Sequence, residues 1–433
     1  MHDFLNGVVV VADFFVFLLH HCEIFFLQVT NAFRKVSDVL DHTEKNAGGP
    51  YRIVYLTPAL YMAGGVERVL TLKANYFAEQ FGYDITIILT EGKGKPLFYP
   101  LSDKVEVINL NIGFEELWNC SFLKKVFVYL KKQRTFRKLL TAELMRLRPD
   151  ITVSLLRREI NFLTKIKDGS RKVGELHVNR ANYRNFEANE SNFVKALFAR
   201  FRMRGLVNKL KQLDRFVVLT EEDREAWPEL SNVSVIPDPL SFVPVAKSPL
   251  TEKRVIAIGR YVYQKGFDLL LQAWAKIERE HSDWQLTVFG DGDRTNYVQL
   301  VEKLGVDSSR CSLNGKTTDI ETEYRNSSLF VFSSRFEGFG MVLVEAMACG
   351  LPVVSFACPC GPKDIVTDGE DGFLVENGNV KMLAERLVQL MSDASLRQQM
   401  AVAALKKSER YRMEQIAPRW QQLFDEVMGR QSE

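Results

Sequence analysis

Little in this 433-residue chain is arranged for metal, redox or disulfide chemistry. Its six cysteines (Cys22, Cys120, Cys311, Cys349, Cys358 and Cys360) are scattered, without the paired spacing of a zinc site or the density of a disulfide-stapled scaffold. A reducing, cytoplasmic setting suits them. Cys358-Pro359-Cys360 is a close pair with no second Cys/His cluster beside it, which speaks against a metal or redox role. Charge of one sign is also scarce overall. A net charge of +3 gives no global reason to expect nucleic acid as a partner. Long apolar runs are missing as well: Phe4 to Leu27 is rich in Phe, Val and Leu, but Asp13, His20, His21 and Glu23 interrupt it short of a spanning helix. No Lys or Arg precedes that stretch, so it makes a poor signal peptide. Residues 1–50 are therefore expected to be an apolar extension, poorly ordered or peripheral to a membrane. Finally, no first strand is followed by Gly-x-Gly-x-x-Gly, which argues against a nicotinamide oxidoreductase.

The chain does have enough length for two cores, and its 46% hydrophobic and 26% charged residues are those of a soluble globular protein. After Gly48-Gly49-Pro50, short β-rich runs alternate with amphipathic helical patterns. Ile53 to Leu56 reads as a first strand, Gly64-Gly65 as a turn, and Val66 to Phe81 as a helix with Val66, Val69, Leu70, Ala74, Phe77 and Phe81 on one face. Further strands are expected over 84–90, 105–110, 151–155, 172–177 and 215–219. Pro237, Pro239, Pro244 and Pro249 then punctuate a passage that reads as a linker. The alternation restarts with strands at 254–258, 285–289, 329–333 and 352–356 and helices at 266–280, 297–304 and 340–349. Residues 380–428 are helical in pattern, with Pro418 as a kink or a new start. The expected architecture is α/β: two doubly wound, Rossmann-like domains facing each other across a cleft, over 51–240 and 251–410. Residues 241–250 link them, and a C-terminal helix within 411–433 packs back toward the N-terminal domain.

Chemistry concentrates where strands end. Glu337-Gly-Phe-Gly-Met-Val-Leu-Val-Glu345 sets two carboxylates around a glycine-rich entrance to an apolar helix. A charge at Glu345 on such a helix needs a polar partner, and ligand hydroxyls would serve. The helix N-terminus near Gly340 suits a phosphate. Gly259-Arg260 and Lys265 occupy a strand-to-helix turn where two cations could grip a diphosphate. With Gly64-Gly65 and His177, these residues fall at carboxyl ends of strands, where open parallel sheets bind ligands.

At these residues the chain resembles the family-four retaining glycosyltransferases of the GT-B fold. The resemblance runs from Tyr51 to Met428 through Gly64-Gly65-Val66-Glu67, His177, Ile236-Pro237-Asp238-Pro239-Leu240, Gly259-Arg260 with Lys265-Gly266, Phe289-Gly290-Asp291-Gly292, and Glu337 with Glu345. It implies that Glu345 binds the ribose diol of a nucleotide-sugar, while Arg260 and Lys265 hold the diphosphate and stabilise the leaving group. Glu337 would contact hydroxyls of the transferred sugar, helped by backbone N–H groups of Phe339, Gly340 and Met341, with His177 reaching the sugar from the other domain. Gly64 and Gly65 would let the backbone approach the ligand closely. Gly259, Val342 and Lys363, the last in a loop from Cys358 to Asp364, complete the implied donor site. The family implies retention of anomeric configuration and no metal or organic cofactor. The donor is expected to be a nucleoside-diphosphate sugar, UDP-linked, and the acceptor a glycan or lipid-linked molecule of a cell-surface polysaccharide such as lipopolysaccharide. A sugar-nucleotide epimerase on the same fold is the alternative. Asp238 stands where many relatives have Asn, and Gly340 where many have Pro. Neither departure removes a charged contact.

Two local runs are basic: nine Lys or Arg against one Glu over 121–149, and seven against one Asp over 193–215. Each accompanies an apolar stripe, the first carrying Leu123, Val126, Phe127 and Leu130, the second Phe193, Leu197, Phe201 and Leu206. The bland reading is core-facing helices with solvated basic faces. The sharper one is peripheral contact with anionic lipid at the inner face of the plasma membrane, close to a lipid-linked acceptor.

Overall fold

The computed structural model describes residues 49–119, 122–185 and 193–430, with side chains throughout except at 117–125 and 184–199. The extension expected over residues 1–50 thus falls outside the description up to residue 48, as do the side chains of Leu123, Phe193 and Leu197. Seven parallel strands form a first sheet in the order β3-β2-β1-β4-β5-β6-β7. They are β1 (Arg52–Thr57), β2 (Asp84–Leu89), β3 (Val105–Asn109), β4 (Ile151–Ser154), β5 (Arg171–Glu175), β6 (Arg215–Val218) and β7 (Val233–Val235). Six more form a second parallel sheet in the order β10-β9-β8-β11-β12-β13. These are β8 (Arg254–Ile258), β9 (Gln285–Phe289), β10 (Cys311–Asn314), β11 (Leu329–Phe332), β12 (Val353–Phe356) and β13 (Gly372–Val375). In both sheets the strand order reverses at one place, between β1 and β4 and between β8 and β11. This is the doubly wound pattern, and the reversal leaves a crevice at the carboxyl ends of those strands.

The sequences explain the layers. Central strands of a parallel sheet are covered on both faces and read as near-continuous apolar runs, as in β1 (RIVYLT) and β8 (RVIAI), whose middles are buried. Helix Phe267–Ile277 shows the complementary 3.6-residue period and buries Phe267, Leu270, Leu271, Trp274 and Ile277 on one side. It ends at Ile277, three residues before the expected end, and Gly266 caps its start at φ +61°.

Helix Met413–Met428 follows the second sheet in sequence but packs with the first. Its Trp420, Leu423 and Phe424 share a core with Tyr51, Phe77 and Tyr83, and the Tyr51 and Phe424 rings meet edge-on at 6.4 Å. Pro418 is not a new start: it lies inside this helix on an exposed position. Glu414, whose carbonyl the proline cannot serve, is exposed too. Among the described residues no helix is long and apolar enough to cross a membrane.

Candidate active site

A cavity of about 970 Å³ opens where the two crevices meet. The first half supplies Gly64, Gly65 and Glu67 after β1, Arg157 beyond β4, His177 and Asn179 beyond β5, and Asp238. The second supplies Gly259, Arg260 and Lys265 after β8, Asp291 after β9, Lys316 after β10, and Glu337 to Val342 after β11. Of the residues singled out in the sequence, Glu337, Arg260, Lys265, His177, Gly64, Gly65, Gly259, Phe339, Gly340, Met341 and Val342 all line this one space. Glu345 and Lys363 do not.

The halves meet closely at its floor. A Cβ on Gly338 would lie 2.3 Å from the His177 carbonyl oxygen, so only glycine fits there without movement of backbone. Next to it, Asn179 donates from Nδ2 to the Glu337 carbonyl at 2.8 Å. The opening turns of two helices also converge: Gly65 begins helix Gly65–Gln80, Met341 begins helix Met341–Ala348, and a Cβ on Gly65 would be 3.3 Å from Met341 Sδ. Unpaired N–H groups at both turns give the intervening space a positive potential. Gly340 caps the second helix at φ +100°, a conformation closed to the proline expected in many relatives.

Lys265 and Glu337 reach the cavity as a pair, Nζ to Oε1 at 2.6 Å, and Gln264 donates from Nε2 to the other carboxylate oxygen at 3.2 Å. Gln264 also donates to the Phe336 carbonyl at 3.0 Å, which fixes its amide. Arg260 is exposed at the rim, with Asp291 as a charged neighbour. Asp291 is itself held by Lys316 at 2.9 Å. The cations Arg157, Arg260, Lys265 and Lys316 thus stand around one space.

His177 is buried between two carboxylates: Nε2 lies 3.2 Å from Glu175 Oε1 and Nδ1 3.4 Å from Asp238 Oδ1. Glu175 also pairs with the buried Lys73, whose ammonium sits 4.2 Å from the centre of the Trp420 ring. Lys73, Glu175, His177 and Asp238 form a line of alternating charge only when the imidazole carries both protons. Burial alone would lower the His177 pKa, but Asp238 and Glu175 outweigh it and push the value up to about 9. Burial likewise opposes ionisation of Glu175, yet Lys73 and His177 bring it down to about 2. Glu175, His177 and Asp238 also place ligand atoms within 4.8 Å of one another, close enough for a metal ion. With an ammonium already on Glu175 and carboxylates facing both ring nitrogens, this cluster suits protons better than a cation.

Glu345 is engaged elsewhere. Ser241 and Tyr324 hydroxyls donate to its two oxygens, the latter at 3.1 Å, and Arg68 Nη1 stands 3.4 Å from Oε1. Lys363 pairs with Glu222 of the first half at 2.7 Å, and Cys360 N–H donates to the same carboxylate at 2.8 Å. Cys358 and Cys360 are buried free thiols whose pKa burial raises, which leaves them unreactive. Sequence reasoning missed Gln264, Asn179 and Arg68, and took Asp238 as a neutral departure. Asn179 lies two residues from His177, and Gln264 lies inside the turn that was singled out. For Arg68 no local signal points across to Glu345.

A family model described as "Glycosyl transferases group 1" matches residues 242–407. The chain is similar to an uncharacterized glycosyltransferase of Haemophilus influenzae, 30% identical over 363 residues that make up 83% of this chain and 95% of that protein. It is 26% identical over 393 residues to the amylovoran biosynthesis glycosyltransferase AmsD of Erwinia amylovora, covering 87% of this chain and all 100% of that one. A mutant of S. aureus TarM in complex with fondaparinux, alpha-GlcNAc-glycerol and UDP has a similar fold, with TM-score 0.66, 17% identity, and coverage of 87% of this chain and 100% of that one. These likenesses favour transfer over the epimerase alternative. The chain belongs to the group 1 glycosyl transferases and has the GT-B fold.

Proposed function

We propose that the protein transfers a hexose or N-acetylhexosamine from a nucleoside-diphosphate sugar, UDP-linked, to a glycan or lipid-linked acceptor of a cell-surface polysaccharide, with retention of configuration and no metal. The observation that carries this reading is the cavity itself: two helix N-termini, Arg260 and the Lys265–Glu337 pair face one space between two switch points. The breaking bond is that between the anomeric carbon and the phosphate oxygen. Its electron pair goes to the departing diphosphate, whose charge Arg260, Lys265 and the helix N-termini stabilise. The acceptor hydroxyl forms the new bond on the same face and yields its proton to the departing phosphate. Glu337, already hydrogen-bonded by Gln264 and paired with Lys265, offers acceptor oxygens to sugar hydroxyls and acts as no nucleophile. Lys363 lies at the edge of the donor loop, held by Glu222.

UDP in the TarM complex supports the donor, and the likeness to an amylovoran biosynthesis glycosyltransferase supports a biosynthetic role. Peripheral contact with anionic lipid is supported by the first half's surface. Phe127 and Phe201 are 74% and 75% exposed, among exposed Lys131, Arg134, Lys138, Arg200 and Arg204. Asn161 accepts from Lys209 at 2.9 Å and donates to Tyr129 at 3.5 Å, tying the two basic helices to one flank. A thermal-shift screen of nucleotide-sugars tests the donor, with Arg260→Ala as the comparison. A UDP-sugar is expected to raise Tm for the wild type and to do so less for the variant; no shift with any nucleotide-sugar contradicts the reading.

A further inference from the structure

Glu345 is the one carboxylate of the singled-out pair that the cavity does not reach. Three side chains hold it. Ser241 and Tyr324 are buried at 8% and 0% exposure and belong to its own surroundings, whereas Arg68 comes from helix Gly65–Gln80 of the opposite half. The Arg68 side chain is 32% exposed and leans on the Tyr99 ring at 5.4 Å, so it keeps contact with solvent while it holds the carboxylate. The Glu345 side chain is 6% exposed, so a ligand reaching its Oε1 meets this guanidinium.

A nucleotide whose ribose donates two hydroxyls to Glu345 must therefore remove the guanidinium first. We infer that Arg68 and the nucleotide ribose are alternative partners of Glu345, which makes Arg68 a competitor of the donor contributed by the first half. The inference rests on the reading of Glu345 as the ribose-binding carboxylate. In the exchange an ion pair to the carboxylate is replaced by two charge-assisted hydrogen bonds from neutral vicinal hydroxyls, while Ser241 and Tyr324 stay. It also couples the halves. Arg68 bridges them at this edge, and the bridge is exchanged when a diol arrives. A Cβ on Gly65, three residues before Arg68, would lie 3.3 Å from Met341 Sδ, so the helix carrying Arg68 meets the helix carrying Glu345 at the N-termini that face the cavity.

Calorimetric titration of UDP into the full-length protein tests it, with Arg68→Met, Arg68→Lys, Glu345→Gln and the Arg68→Met/Glu345→Gln double variant alongside. Lys and Met are good helix formers, so the helix surface tolerates both. Removal of the competing cation is expected to tighten UDP binding about two- to five-fold, the scale of a partly exposed ion pair. Arg68→Lys is expected to return the affinity to that of the wild type. In the Glu345→Gln background, Arg68→Met is expected to change nothing, a coupling that a merely structural role would not produce. Weaker UDP binding by Arg68→Met would make Arg68 a phosphate ligand, and equal binding would make it a surface pair; either overturns the inference. Absence of binding by the wild type, seen before any substitution, overturns the donor-site reading beneath it instead.

Discussion

Lys265 Nζ lies 2.6 Å from Glu337 Oε1, which brings the residues that follow β8 and β11 together as one ion pair at the switch point of the second sheet. Glu337 is 7% exposed and the Lys265 side chain 15%. Lys265→Ala leaves a nearly buried carboxylate with Gln264 as its remaining side-chain donor. Fully buried pairs broken this way lose about 3–5 kcal/mol, and the partial exposure of Lys265 reduces the expected loss to about 1–3 kcal/mol. Glu337→Gln should lose less, because Lys265 can turn to solvent. Denaturant unfolding of both variants measures this order. In turnover, Lys265→Ala should reduce kcat about a hundred-fold or more, as removal of one preorganised charge-stabilising donor does.

The His177 network gives a pH dependence. Histidine in the unfolded chain titrates near 6.5, and in the folded protein near 9. The stabilisation from its charged form is therefore fully present below about pH 6.5 and is lost as pH rises through about 9. Glu175, lowered to about 2 by Lys73 and His177 against its burial, contributes in the opposite sense: its stabilisation holds above about pH 4.5 and fades as pH falls through about 2. Asp238→Asn keeps the shape and removes one of the two facing charges. Unfolding free energies at pH 6, 7.5 and 9 should show a steeper alkaline decline in the wild type than in the variant. Parallel declines would mean that Asp238 does not hold the proton on His177.

Gly338 marks where the halves touch. A Cβ there meets the His177 carbonyl at 2.3 Å, and backbone cannot yield as a flexible side chain would. Gly338→Ala should hold the cleft partly open while each sheet keeps its core. The expected result is a larger radius of gyration by small-angle scattering, a turnover reduced at least ten-fold, and little change in Tm. A fall in Tm with unchanged scattering would place the strain within one half.

Phe127 and Phe201 are exposed aromatics among basic residues on one flank. Phe127→Asp with Phe201→Asp should abolish flotation with vesicles containing anionic lipid, while activity toward a soluble acceptor remains. Flotation that persists in the double variant, or wild-type binding that ignores lipid charge, speaks against this flank as the contact.

The parts legible in the sequence are those set by local patterns. β8 and β9 match their expected bounds because both are apolar runs ending at polar residues or glycine. β10 (CSLN) and β7 (VSV) sit at sheet edges, are short and partly polar, and carry no apolar signal; β13 (GFLV), also an edge, opens on a glycine. Pro418 marks no new start because an exposed helix position can tolerate the lost N–H. At the site, Arg260, Lys265 and Glu337 were legible because strand-end position and residue type coincide. Arg68 and the charge on Asp238 were not, since both matter through a partner more than 60 residues away in sequence, Arg68 to Glu345 and Asp238 to His177. The resemblance pointed to Asp238 as a departure. The geometry turns it from a neutral change into an added charge facing His177.

The proposed reaction is sugar transfer from a nucleoside-diphosphate donor held in the cleft. Its most direct test is nuclear magnetic resonance of a reaction containing the protein, a UDP-sugar that raises its Tm and a glycan acceptor. UDP release that depends on the acceptor, a product with the anomeric configuration of the donor, and loss of both signals in Arg260→Ala are expected. A donor left intact with every acceptor, or sugars interconverted in the absence of one, would contradict it.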